Sequence, residues 1–93
     1  MKILVHYLAF NSNQAFEYTA NPVTKSTEHL LEFIFRDCNV VDGSEWVVRE
    51  SKRRIEAGER GLRSMSVGDI VTLIDEDRIE SYLCAGIGWT KLG

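Results

Sequence analysis

Residues 66–84 read SVGDIVTLIDEDRIESYLC, and the fold is decided there. Ile70 to Ile74 is β-branched and apolar, a composition that suits the pleated surface of a strand better than a helix. Val67-Gly68-Asp69 in front of it has the make-up of a tight turn, and Asp75-Glu76-Asp77 behind it supplies the next one. Ile79 to Cys84 is long enough to pair back antiparallel, so two strands joined by an acidic turn are expected. Beyond them, Gly86-Ile87-Gly88-Trp89 suggests a kinked or bulged return into a short last strand ending near Leu92.

Working towards the N-terminus, Lys2 to Phe10 carries apolar residues at both parities, which predicts a central strand covered on both faces. Asn11 to Gln14 is turn-like, and Phe16 and Tyr18 then alternate with Glu17 and Thr19 as in a half-buried second strand of a hairpin. After Asn21-Pro22, a helix is expected from Ser26 or Thr27, with Leu30, Leu31, Ile34 and Cys38 on one face, running out near Cys38 or Asn39. Glu28 in its first turn suits the helix dipole, and Glu32 and Arg36 form an i, i+4 pair. Residues 44–63 admit two readings. Ser44 could cap a short helix through Ala57 that Gly58 ends, or Trp46-Val47-Val48 could be an edge strand before a loop. The expectation is an α+β fold: one small domain over 1–93, with an antiparallel sheet of about four or five strands and one main helix packed on one face.

Composition narrows the function classes. With 44% hydrophobic residues and one proline, the chain can bury enough apolar surface to offset its ordering entropy, which argues against disorder. The apolar run at the N-terminus is followed by His6 and a polar tract rather than a cleavage site, and no window approaches the roughly 20 apolar residues of a membrane span. A cytoplasmic protein with no membrane association is expected. Two cysteines, Cys38 and Cys84, lack metal-site or redox-motif spacing and fit a reducing compartment. The net charge of −3 is unevenly spread: residues 49–63 hold six basic side chains against three acidic ones, and the remainder five against eleven. Such a segment favours an anionic partner at short range, while the acidic body discourages bulk nucleic-acid binding. The plainer alternative is a solvated face.

Individual residues sharpen this. Trp46 beside Arg49, Arg53 and Arg54 has the composition of an interface hot spot. Gly58 and Gly61 bracket Glu59-Arg60, where a mobile binding loop is expected. Arg63, Ser64, Ser66 and Asp69, with backbone N–H groups near Gly68, could hold a carboxylate or phosphate; otherwise Arg63 and Asp69 pair and the serines satisfy the turn. Trp89 and Tyr82 could form an aromatic platform. Cys38 and Cys84 fall on an apolar helix stripe and inside a strand, where cysteine is inert. His6 and His29 lack zinc spacing, and residues 75–80 lack the glycine of a calcium loop. No catalytic residue, metal or cofactor is therefore expected.

The succession of Phe33-Ile34-Phe35, Asn39-Val40, a polar insert, Arg63-Ser64-Met65-Ser66-Val67-Gly68-Asp69-Ile70-Val71 and Tyr82-Leu83-Cys84-Ala85-Gly86-Ile87-Gly88-Trp89 resembles the YodL-like domain over roughly residues 30–92. It departs from that pattern at Gly68, where a serine is common, and at Trp89, where a phenylalanine is common. The resemblance implies an origin in a phage or mobile element, and carries no catalytic residues or substrate. The expected function is that of a small non-catalytic accessory protein that binds and modulates a host protein through Trp46, Arg49, Arg53, Arg54, Arg60 and Arg63, with Ser64, Ser66, Asp69 and Trp89. The alternatives are a nucleic-acid or anion-binding module using Arg49 to Arg63, and a small enzyme. A homodimer through the last strand is compatible with each.

Overall fold

The parity of its apolar residues organises the sheet in the computed structural model, which describes residues 1–9, 13–18, 26–39, 45–63 and 65–92, the side chains of 45–47 excepted. β1 (Lys2–Tyr7) buries Ile3, Val5 and Tyr7, while Leu4 and His6 between them are half-buried. The strand is thus interior, as its apolar density predicts, but fully buried on one face rather than two. The reason is register: alternate side chains of a strand point to opposite faces, so each pairing assigns whole rows to one side. β2 (Gln14–Glu17) and β3 (Ile70–Ile74) flank β1, with Val5 opposite both Phe16 and Val71, and all three of these side chains are buried. The Tyr7 and Phe16 rings meet edge to face at 5.2 Å.

β3 turns through Asp75–Arg78 into β4 (Ile79–Cys84), closed by a 2.8 Å hydrogen bond from Asp75 N–H to Arg78 C=O. β4 returns through residues 85–88 into β5 (Trp89–Lys91), with Gly88 at φ +67°, a left-handed conformation that glycine adopts freely. The result is a five-stranded, wholly antiparallel sheet in the order β2-β1-β3-β4-β5. These strands and their turns form one compact unit, Met1–Thr19 with Ser66–Gly93.

The second unit, Ala20–Met65, is helical among its described residues. α1 (Thr27–Asp37) begins where Ser26 Oγ accepts the His29 N–H at 3.2 Å, and it buries Leu30, Leu31 and Ile34, with Cys38 just beyond its end. Burying each such side chain stabilises the fold by about 1.5–3 kcal/mol. α2 (Glu45–Glu56) resolves the two readings of residues 44–63 in favour of a helix. Its end is a Schellman motif: Gly58 at φ +82° donates to Ile55 C=O, and Glu59 N–H donates to Arg54 C=O at 2.8 Å. The chain then folds back along the helix. Leu62 N–H donates to Ser51 Oγ at 3.0 Å, and a Cβ on Gly61 would stand 2.7 Å from that oxygen and 2.9 Å from Ile55 Cδ1, so a larger residue would force these side chains to shift. The two glycines expected to flank a loose loop serve as a helix cap and a close contact. Ser44, expected as the N-cap, lies outside the described residues.

The class is α+β, as expected. In place of one main helix there are two, of 11 and 12 residues.

Candidate partner-binding surface

The residues expected to bind a partner divide between the two units. Arg49, Arg53, Arg54, Arg60 and Arg63 belong to the helical unit, and Ser66, Asp69 and Trp89 to the sheet unit. Ser64 and the Trp46 side chain lie outside the described residues.

In the sheet unit, Asp69 has no exposed surface. Its Oδ1 accepts N–H groups from Leu8 and Ala9, each at 3.0 Å, and its Oδ2 accepts that of Ser66 at 2.8 Å. The carboxylate thus ties the chain leaving β1 to the turn entering β3, and presents nothing to a partner. Gly68 at φ +103° lets that turn close, its N–H donating to Cys84 C=O at 2.9 Å. The freed backbone N–H groups expected near Gly68 are in these respects engaged within the fold. Trp89 is half-buried on β5, an edge strand of the sheet.

β4 and β5 also carry a polar cluster. Tyr82 Oη donates to Glu80 Oε2 at 2.5 Å, while Arg78 Nη1 and Lys91 Nζ stand 3.7 and 4.0 Å from Glu80 Oε1. That hydrogen bond holds the Glu80 carboxyl below its ordinary range and pushes the Tyr82 phenol above its own. Thr72 and Ser81 oxygens face each other at 2.9 Å in a cross-strand pair. Both cysteines are buried, free thiols, and among the described residues no group of three or more His, Cys, Asp or Glu could hold a metal ion.

In the helical unit, helix geometry sorts the cations. Arg53 and Arg54 both bind the Glu50 carboxylate, Arg54 Nε at 3.2 Å. The Arg53 hydrogen bond holds the Glu50 carboxyl below its ordinary range, against a partial desolvation that pushes it up, with Arg54 assisting. Arg60 is exposed and Arg63 half-buried. Arg49 and Lys52, one turn apart, are exposed and have no ion-pair partner among the described residues. Beside them, Val48 is 50% and Ile55 60% exposed, two turns and about 10.5 Å apart along the axis. At helical spacing Val48, Arg49, Lys52 and Ile55 make one solvent-facing surface of mixed apolar and cationic character, with Arg53 at its margin. Ser51, one turn before Ile55 on the adjoining side, faces Gly61 and Leu62, and Ile55 at the border of the surface also adjoins Gly61.

Val48, Lys52 and Ile55 were not singled out by sequence. A period-3.6 reading turns apolar residues inward, whereas the small polar Ser51 takes the inner position because Leu62 N–H needs its oxygen. Among the described residues no helix is long and apolar enough to cross a membrane. Compared with protein-family models, curated proteins and solved structures, the chain matches none.

Proposed function

We propose that this chain is a non-catalytic binding module that docks a host protein on the exposed face of α2. The observation that carries this reading is that Val48 and Ile55 stand open to solvent beside Arg49 and Lys52, while the neighbouring Arg53 and Arg54 are committed to Glu50. An apolar centre flanked by cations suits a protein surface with an acidic rim around an apolar patch. A polyphosphate backbone would use the cations and leave Val48 and Ile55 without purpose. The resemblance to the YodL-like domain supports an accessory role in a phage or mobile element, acting in the cytoplasm of its host.

The test is capture of partners by tagged protein after nuclease treatment, at two salt concentrations, compared with Arg49→Glu/Lys52→Glu and with Val48→Asp/Ile55→Asp. Circular dichroism confirms that each variant folds. A protein retained by the wild type and lost from both variants is the expected result. Nuclease-sensitive capture that tracks the cations alone would transfer the function to nucleic acid, and capture unchanged in both variants would remove α2 from it.

A further inference from the structure

The sheet unit carries a surface complementary to the α2 face. The turn between β3 and β4 presents Asp75, Glu76 and Asp77, all exposed. Asp75 Oδ1 accepts the Glu76 N–H at 3.0 Å, and Arg78 stands 3.7 Å from Glu80 rather than over the turn's carboxylates. Glu76 and Asp77 have no ion-pair partner among the described residues. Apolar side chains flank them as they flank the cations of α2: Ile79 is 69% exposed, and Met1, one residue before the Lys2–Ile74 pair, is 73% exposed.

We infer that the α2 face takes the acidic β3–β4 tip of a second copy of this chain, with Glu76 and Asp77 on Arg49 and Lys52 and Ile79 beside Val48 or Ile55. This rests on the docking reading of α2 and deepens it: self-association occupies the surface that the host protein needs, so a partner must displace a neighbouring copy. Tip and helix are different patches, which makes the contact heterologous, and such contacts propagate unless they close into a ring. The mass should therefore rise with concentration. Attraction between exposed charges is screened within a Debye length of about 8 Å at physiological salt, so association is strongest at low salt.

Sedimentation equilibrium tests this. At about 20 mM salt the wild-type mass should climb with concentration to at least twice the 10.6 kDa of one chain, and at about 0.5 M salt it should return to one chain. Glu76→Lys/Asp77→Lys and Arg49→Glu/Lys52→Glu should each be monomeric alone. Mixed one to one they should associate again, because each reversed patch meets its complement on the other variant. A wild type that stays monomeric at low salt, an association indifferent to the tip reversal, or a mixture that stays monomeric would overturn the inference. Host-protein capture separates this failure from that of the functional proposal: the tip variant keeps its capture if only self-association is wrong, whereas an α2 variant that still captures defeats the docking reading itself.

Discussion

In the sheet unit Asp69 is wholly buried and holds the N–H groups of Leu8, Ala9 and Ser66, whereas in the helical unit Glu50 is 18% exposed at its side chain and is held by two arginines of its own helix. Both are carboxylates fixed by charge-assisted hydrogen bonds, yet they differ in what their loss leaves behind. Removing Asp69 strands backbone donors that water reaches poorly, and each unsatisfied buried donor costs about 1–3 kcal/mol. Removing Glu50 releases Arg53, 64% exposed at its side chain, to solvent that replaces most of what is lost, while Arg54, 17% exposed, is only partly reached by water. The same chemical group is thus a structural tie in one unit and a minor surface adjustment in the other. What separates them is access of water and the span of chain each one bridges.

The comparison can be broken most directly at Asp69. Asp69→Ala should destabilise the protein by about 3–5 kcal/mol, a large share of the roughly 5–15 kcal/mol typical of a domain, read as a fall in the urea midpoint. Asp69→Asn should cost less, since the amide oxygen can still accept from Leu8 and Ala9 while its NH2 opposes the Ser66 N–H. Equal losses in the two variants would mean that the charge, not the acceptor geometry, holds the turn. Gly68→Ala comes next, at about 1–3 kcal/mol from its φ of +103°. The Ala9 Cβ at 3.4 Å from the added methyl adds little, so backbone strain is the cause to test by thermal melting.

At Glu50 the expected effect is smaller. Glu50→Gln should lower stability by under about 1 kcal/mol, and a loss as large as that of Asp69→Ala would erase the distinction between the two units. The pH dependence follows with its sign. Because Glu50 has a lowered pKa in the fold, its stabilisation is complete above the unfolded carboxylate pKa and is lost as pH falls through the lowered value. Helicity measured on acid titration should therefore fall less in Glu50→Gln than in the wild type. The smallest effect is spectroscopic: Tyr82, one of three tyrosines, should titrate above the ordinary phenol range, and Glu80→Gln should bring it back down in the phenolate absorbance. The neutral phenol is the form favoured by the fold, so that contribution is present below the unfolded tyrosine pKa and lost as alkaline pH rises through the raised value.

The candidate surface was legible only in part. Arg49 and its segment stood out by charge, but charge counts do not reveal that Arg53 and Arg54 share Glu50 while Arg49 and Lys52 face solvent. Asp69 stood out as a possible anion-site residue because a short turn rich in serine and glycine reads the same whether its carboxylate meets a ligand or backbone. Its N–H donors at Leu8 and Ala9 lie 61 and 60 residues away in sequence, beyond any local pattern.

The elements fixed by local chemistry were determined by the sequence itself. The β-branched run at Ile70–Ile74, the acidic turn after it and the helix begun by Ser26 follow from period, turn residues and capping, which act within a few residues. Tertiary structure decided the rest: which face of β1 is buried, the inward place of Ser51, and the capture of Asp69 by the chain leaving β1. Each of these depends on a donor, acceptor or register supplied by a separate part of the chain, and a residue's neighbours in sequence carry no record of that partner.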